Sequence, residues 1–527
     1  MLLSSFAFLC WNLKRVNSNA VGRGTLHTDS LWTLYMTTPS GPPEVPVGLA
    51  SSADLEAFSL WFKDVPFALS EVWSAPAEVD IHPPLYFLIV HFFRAIGFEF
   101  QGAFMAANAI GFGLLALAVI WLGYLDQRST ASSLALQGLI LGTPALLAAS
   151  EEARHWVFFS GGSLVFSVCF SKILLRTMNG AMPSKSLRFF VVLLSAFCLL
   201  IETSFVLLLL SWIVVTIGVG IRSGRVRIVI TGRLQEVAGS IILWLAFFPA
   251  ALANFKKGTD LNQVDTGSAL LIPRYNSEIS FWFVRRMGDL WQIGGDTRVT
   301  FVLATSSLGF LIYSQTIRSG RFLSRKRRQT EPPKVSHGFL IGLAGTSYFL
   351  LYFLLYSFEY MPLFAVGFKY ILPFGVLLLL GLWDALQQSF VGKYITILAA
   401  VIMVYHSLVF ASITTGQSRV IDRMASADTL VIVGNHSDLH SFAYSVSLGR
   451  LPRDVRLHLL PTSKLNSSRW ESLCPPGGEE AERYVFVDRP PWGPGAAGLF
   501  SSVTDTEIRR VLGPVEFGEV AQVCVNL

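Results

Sequence analysis

The sequence predicts a polytopic α-helical membrane protein of about 11 spans, with a long outer first loop and a small C-terminal α/β domain. Its 527 residues are 52% hydrophobic and only 14% charged, and the mean hydropathy is +0.52. Soluble proteins carry roughly 25% charged residues. Many apolar runs approach the roughly 20 residues that a membrane-crossing helix needs. Basic residues gather in short clusters between these runs, as in cytoplasmic loops, so the net charge of +6 does not indicate nucleic acid.

The N-terminal part contains a short apolar run and then a long polar loop. The first run, "MLLSSFAFLCW", is shorter than a full span, and we interpret it as a clipped first helix. The loop 14–102 follows, rich in proline and glycine. Near its end the apolar segment "PPLYFLIVHFFRAIGF" is short and is interrupted by His91 and Arg94. These features predict a helix at about 83–98 that lies along the membrane surface instead of crossing it.

The middle of the chain contains ten clear apolar runs. The predicted spans are 103–125, 131–149, 155–175, 187–201, 203–221, 236–255, 299–316, 337–357, 368–387 and 394–413.

The distribution of lysine and arginine sets the orientation of these spans. The basic segments "KILLRTMNGAMPSKSLR", "RSGRVRIVITGR" and "RSGRFLSRKRRQTEPPK" all fall on one side if the helix at 83–98 does not cross. Basic loops favour the cytoplasmic side, so the N-terminus is predicted inside. The loop 14–102, "SEEARHW", the loop 256–298 and the tail from residue 414 are then outside.

The tail differs in composition from the rest of the chain. The segments "DTLVIVG", "VRLHLL", "RYVFVD" and "VAQVCVNL" indicate strands, and "HSDLHSFAYSVSLG" indicates a helix. We therefore predict two domains, a transmembrane domain at 1–413 and an extracytoplasmic α/β domain at 414–527.

Several polar and ionisable side chains reach the outer face in this topology. Charge near a span is costly, so it is usually functional or paired. The candidate residues are Asp29, Asp80, His82, Glu152, Arg154, Lys369 and Tyr370. Such a set suits group transfer from an amphiphilic phosphate donor, because cations hold the phosphate and a carboxylate deprotonates an acceptor hydroxyl.

Each of these residues also has a simpler interpretation. Asp29 could be a solvated loop acid, and Asp80 with His82 could begin a helix ahead of the two prolines. Arg154 could anchor a span end, and Tyr370 could belong to the interfacial aromatic belt. One aspartate and one histidine, Asp80 and His82, are too few ligands for a metal, and the sequence places no others. No cofactor is therefore assigned, and a divalent metal ion at this pair is left open.

Four segments, in order along the chain, resemble one family. "DIHPPLYFLIVHFF" resembles the Asp-x-His-Pro-Pro-Leu-Tyr segment of bacterial membrane glycosyltransferases with the GT-C fold. These are relatives of the dolichyl-phosphate-mannose–protein mannosyltransferases and of the aminoarabinose transferase that modifies lipid A. "TDSLWTL", "SEEARHW" and "FKYILPFGVLLLL" resemble three further motifs of that family. The resemblance spans about 29–390.

The resemblance implies an inverting transfer from a polyprenyl-phosphate-linked sugar to a glycan, lipid or protein acceptor. The reaction would take place on the periplasmic or extracytoplasmic face of the cytoplasmic membrane. By position, Asp29 resembles the catalytic base, and Arg154 and Lys369 resemble residues near the donor phosphate. Asp80 and His82 align with an outer-loop segment near the same phosphate.

The chain also departs from the family at several positions. Ser30 replaces the usual glutamate, and Trp156 stands where a tyrosine is usual. Lys369 replaces the common arginine, which removes a planar bidentate donor. Glu202 lies in "IETSF", where many relatives carry a His-Tyr pair.

Two other functions compete with an enzyme. A transporter or flippase for a lipid-linked glycan would favour charges at midplane depth and inverted repeats. The predicted charges instead share one face, and no repeat is evident. The other alternative is a non-catalytic membrane scaffold whose outer domain binds partners.

Overall fold

The structure is a computed structural model. It describes residues 10, 28–39, 48–49, 65–79, 82–150, 153–224, 226–251, 335–357 and 368–410, and the strand segments 429–434, 456–461, 484–487 and 521–523. The predicted span at 299–316, and nearly all of the first apolar run, lie outside these residues. Within them, four helical stretches are long and apolar enough to cross a membrane: Phe100–Leu125, Trp156–Met178, Val229–Phe247 and His337–Leu355. The chain is a multi-pass membrane protein, and the count of about 11 spans stays a prediction.

The described part of the chain contains thirteen helices, numbered α1 to α13 in chain order. They are α1 (Thr28–Met36), α2 (Leu69–Val79), α3 (Leu85–Ala95), α4 (Phe100–Leu125), α5 (Thr130–Leu141), α6 (Pro144–Ser150), α7 (Trp156–Met178), α8 (Lys185–Ile201), α9 (Phe205–Ser223), α10 (Val226–Phe247), α11 (His337–Ser357), α12 (Phe368–Leu386) and α13 (Phe390–Phe410).

The chain forms two compact units. The first comprises Met1–Leu13, Ser70–Ile89 and Met105–Val409, and the second comprises Lys14–Leu69, Val90–Phe104 and Phe410–Leu527. In the first unit α7 is the central helix, because it packs against α8, α9, α11 and α12 and 83% of its span is buried. A helix buried on all sides fits its nearly continuous apolar sequence.

Glycines allow two helix pairs of the first unit to approach closely. A Cβ added at Gly161 of α7 would lie 2.5 Å from the carbonyl oxygen of Gly111 in α4. A Cβ added at Gly345 of α11 would lie 2.8 Å from the Cβ of Leu377 in α12. Inside a bilayer the hydrophobic effect does not drive helices together. Small residues at such crossings let the two backbones pack closely, and this packing stabilises the contact instead.

The predicted span at 131–149 is wrong as a single helix. The structure ends α5 at Leu141 and starts α6 at Pro144. Pro144 has no backbone N–H to continue the α5 ladder, but it is well suited to the first turn of a new helix. At the break, the Thr143 hydroxyl donates to the Leu139 carbonyl at 2.8 Å and so satisfies a terminal acceptor.

The helix predicted at about 83–98 is observed as the shorter helix α3, and its position along the membrane surface stays a prediction. Pro83 and Pro84 precede it, and the Pro84 carbonyl accepts the Leu88 N–H at 3.0 Å. Beyond its C-terminal end Gly97 adopts a φ of 100°, in the left-handed region that glycine tolerates.

Within the second unit His91 and Arg94 are buried, although the sequence suggested that they interrupt an apolar run. The Arg94 guanidinium donates to the Thr37 carbonyl at 3.3 Å, to its hydroxyl at 3.1 Å and to the Thr38 hydroxyl. The Ala68 N–H donates to His91 Nε2 at 3.1 Å, so Nδ1 carries the proton and donates to the Thr37 carbonyl at 3.0 Å. The two side chains therefore hold the C-terminal end of α1.

An ionic cluster joins α4, α11 and α12 at one end of the first unit. The Asp126 carboxylate, just after α4, accepts the His337 and Gly338 N–H groups at 2.9 and 3.1 Å and so caps α11. Arg128 donates to Asp384 Oδ1 at 2.7 Å, and the Asp384 side chain is fully buried. In the predicted topology this end is cytoplasmic.

A five-stranded sheet belongs to the second unit. The strands are β1 (Gly48–Leu49), β2 (Thr429–Gly434), β3 (Arg456–Pro461), β4 (Tyr484–Val487) and β5 (Ala521–Val523), in the order β1-β3-β2-β4-β5. The central strand β2 is parallel to β3 and β4, and the edge strands β1 and β5 are antiparallel to their neighbours. Each of the four predicted strand segments in the tail overlaps one of these strands, and β3 extends one residue further, to Pro461. The predicted helix between β2 and β3 lies outside the described residues, so the α/β domain stays a prediction.

Candidate functional site

Two histidines and a glutamate form a cluster at three helix ends of the first unit. His82 lies just before α3, His155 directly precedes α7, and Glu202 separates α8 from α9. Glu202 Oε2 is 2.9 Å from Nε2 of His155 and 3.6 Å from Nδ1 of His82. One nitrogen or oxygen atom from each side chain lies within 4.8 Å of the other two. We call these three residues the His82–His155–Glu202 cluster.

The local chain holds Glu202 in a fixed orientation. Its extended backbone, with a φ of −155° and a ψ of 122°, ends α8. Its Oε1 atom accepts the Ser204 N–H at 3.1 Å, at the start of α9. A carboxylate at a helix N-terminus is also favoured by the helix dipole. One oxygen is thereby fixed, and Oε2 is directed to the histidines.

Burial and charge govern the protonation of the cluster. Burial lowers the pKa of His155 to about 4, because the attraction of Glu202 only partly opposes it and the charges of His82 and Arg154 add to it. Burial alone would raise the pKa of Glu202, but the neighbouring imidazoles of His155 and His82 outweigh it and hold that pKa well below the ordinary value. At neutral pH the pair is therefore an ionised carboxylate beside a neutral imidazole.

Two atoms at the centre of the cluster have no aligned hydrogen-bond partner among the described residues. They are Nε2 of His155 and Oε2 of Glu202, and both are buried. Although they are only 2.9 Å apart, their contact does not have the alignment of a hydrogen bond. Buried polar atoms normally have such a partner, so this arrangement requires an explanation.

Aromatic rings surround the cluster. The His155 ring lies 4.3 Å from the Trp156 ring and 6.0 Å from that of Tyr86, measured between centroids. The side chains of His155 and Glu202 are nearly inaccessible, whereas 16% of the His82 side chain is exposed. The cluster is therefore closed on the side of α7 and opens toward His82.

The structure brings two predicted site residues, His82 and Arg154, to this place. Arg154 is 7% exposed, and its charge acts on both His155 and Tyr86. A buried guanidinium beside a histidine cluster is well suited to bind an anion.

The structure locates some of the other predicted residues only by their backbone. Asp29 lies in the first turn of α1, and Lys369 and Tyr370 lie in the first turn of α12. Their side chains are not among the described ones. Asp80 and Glu152 lie outside the described residues, so their roles stay predictions.

The sequence-based prediction did not include His155 or Glu202 in the site. Both lie between predicted spans on the side assigned as outer, and that shared position is the signal that could have identified them. Glu202 was noted only as a departure from a family motif, and His155 only as the neighbour of Arg154.

Comparisons with known proteins add little to these observations. Neither a family model nor a curated protein matches the chain. Among solved structures, ArnT from Cupriavidus metallidurans bound to undecaprenyl phosphate is 11% identical, with a TM-score of 0.42 over 91% of this chain and 92% of that chain. ArnT in the apo state is 12% identical, with a TM-score of 0.33 over 98% of this chain and 96% of that chain. Since both TM-scores are below 0.5, neither likeness bears on the activity.

Proposed function

We propose that this chain is an inverting membrane glycosyltransferase of the GT-C type. It would transfer a sugar from a polyprenyl-phosphate donor to an acceptor on the extracytoplasmic face of the membrane. The donor class and the inversion follow from the resemblance of the four sequence motifs, and the acceptor is a glycan, a lipid or a protein.

One observation carries the proposal most directly. His82, from the motif "DIHPPLYF", lies against His155, which follows Arg154 in the motif "SEEARHW", and the two imidazole ring centroids are 5.3 Å apart. Chance sequence similarity in short motifs gives no reason for their residues to meet in space. A shared site gives a reason for these residues to meet. A buried cation at a helix junction is also the group that a lipid phosphate needs.

The proposed reaction needs a base, a phosphate site and an acceptor. Asp29 takes the proton from the acceptor hydroxyl, whose oxygen forms a bond to the anomeric carbon. The bond from that carbon to the phosphate oxygen breaks through an oxocarbenium-like state, and polyprenyl phosphate leaves with the bonding electrons. Attack from the face opposite the leaving group inverts the anomeric configuration.

The remaining predicted residues act on the donor. Arg154 and Lys369 offset the charge that develops on the departing phosphate. Asp80, His82 and Glu152 orient the donor head group, and Tyr370 contacts it at the membrane interface.

The test is transfer of label from a panel of radiolabelled polyprenyl-phosphate sugars in membranes that contain the full chain. We expect at least one label to move to an endogenous acceptor. Asp29→Asn should abolish that transfer with normal expression. Glu99→Gln makes the same chemical change at an exposed acid and should retain full activity.

Two results would contradict the proposal. Full transfer by Asp29→Asn would remove Asp29 from the role of base. Translocation of a lipid-linked sugar in proteoliposomes, with no transfer to any acceptor, would identify a flippase instead.

A further inference from the structure

We propose that His82, His155 and Glu202 bind one divalent transition-metal ion, of which Zn²⁺ best suits the ligands. The site would be a 2-His-1-carboxylate centre that joins the start of α3, the start of α7 and the turn between α8 and α9. The proposal does not depend on glycosyl transfer, since it concerns binding alone.

The two distances from Glu202 to the histidine nitrogens fit a metal ion. Zn²⁺ lies about 2.0–2.2 Å from nitrogen and oxygen ligands, so tetrahedral ligand atoms are about 3.4 Å apart. The observed separations from Glu202 Oε2, 2.9 Å to His155 and 3.6 Å to His82, lie on either side of this value. No other group of three histidine, cysteine or acidic ligands is found among the described residues.

The two unaligned atoms at the centre of the cluster support the same conclusion. Nε2 of His155 and Oε2 of Glu202 are 2.9 Å apart, but their contact does not have the alignment of a hydrogen bond. A cation between a carboxylate oxygen and a bare imidazole nitrogen satisfies both atoms. A metal therefore explains why two buried polar atoms face each other without a hydrogen bond.

The surroundings of Glu202 resemble the outer shell of a metal site. Its second oxygen, Oε1, accepts the Ser204 N–H and so fixes the orientation of the carboxylate. Hydrogen bonds of this kind keep a ligand in place before the metal arrives. His155 lies against the Trp156 ring, which restricts the imidazole further.

The ligand types determine which ions would bind. Mg²⁺ and Ca²⁺ prefer oxygen ligands, and two of these three ligands are imidazoles. Three protein ligands also leave one position of a tetrahedral ion open. That position is reached from the side of His82, the ligand that is partly exposed.

The first experiment measures metal in the full chain, purified in detergent without a metal-affinity tag and dialysed against Zn²⁺ and then against buffer. We expect about one zinc ion per chain by elemental analysis. Glu202→Gln should lose at least nine-tenths of it, whereas Glu71→Gln, the same change at an exposed acid, should retain it. Replacement by Co²⁺ should give a visible absorption band that is absent in Glu202→Gln.

The outcomes separate a metal site from a purely structural pair of side chains. Wild type without bound metal after dialysis, or equal metal content in Glu202→Gln and Glu71→Gln, would overturn the proposal. If Glu202→Gln fails to fold, the wild-type protein is tested by removing its metal with a chelator. The midpoint of thermal unfolding should then fall, and it should recover when Zn²⁺ is returned. An unchanged midpoint together with an absent Co²⁺ band would also overturn it. Since no donor or acceptor is present, these results do not depend on the proposed glycosyl transfer.

Discussion

Replacement of Gly111 by alanine tests the close contact between α4 and α7 in the first unit. An added Cβ would lie 2.7 Å from the Cα and the backbone nitrogen of Phe158 in α7. Ordinary van der Waals contact begins at 3.4 Å, so the helices would have to separate by about 3.4 − 2.7 = 0.7 Å. Backbone atoms cannot rotate away as a flexible side chain would.

Gly113, on the same helix, provides the matched control. A Cβ added there would meet no atom within 4 Å. Alanine gains about 0.5–1 kcal/mol over glycine in a helix, and this gain applies at both positions. Overpacking costs about 1–3 kcal/mol and applies only at Gly111, so the two variants should differ by about that amount.

Thermal unfolding of the full chain in detergent, followed by tryptophan fluorescence, measures this difference. Gly111→Ala should unfold at a lower temperature than wild type, and Gly113→Ala should unfold at the same temperature or a higher one. Equal midpoints for the two variants would show that α4 and α7 do not approach as closely as described.

Two further substitutions test cations that bond to buried groups. Arg128→Ala should lower the free energy of unfolding by about 3 kcal/mol, because it leaves the buried Asp384 carboxylate without its guanidinium. Arg128→Lys keeps a positive charge and should lose less stability. Equal losses for the two variants in thermal unfolding would contradict the ion-pair explanation. Arg94→Ala should speed hydrogen exchange in residues 28–38, because the end of α1 loses its bonds at Thr37. A peptide from α11 serves as the control, and unchanged exchange in residues 28–38 would show that Arg94 does not hold α1.

The sequence predicted most helices well because apolar composition marks a membrane helix strongly. The span predicted at 155–175 corresponds to α7, and that predicted at 337–357 corresponds to α11. The predicted helix boundaries were wrong where a charged side chain is buried within a helix. The span predicted at 236–255 excluded the arginines before it, yet α10 begins at Val226. The Arg233 guanidinium is 3.1 Å from the Glu236 carboxylate, and this pairing lets a charged turn belong to the helix.

The site was predicted less completely than the fold. Short motifs identified His82 and Arg154 because each is part of a recognisable string of residues. Glu202 is not part of such a string of residues. Its place in the site follows only from its contacts with residues that are far away in the chain. A hydropathy pattern records which residues are at helix ends, but it does not record which ends meet. The same limit applied to β1, whose two residues have no pattern of their own.

The pairing of β1 with β3 sets an order for the biogenesis of this protein. Gly48 pairs with Leu459, and the ribosome makes the first of these residues long before the second. The edge of the sheet therefore cannot close until the intervening helices have been inserted and the tail has been translated. A chain that stopped at the last membrane helix would be inserted but would never gain the partner of β1. Because α1 and its Asp29 belong to the same compact unit, completion of that unit is a late event.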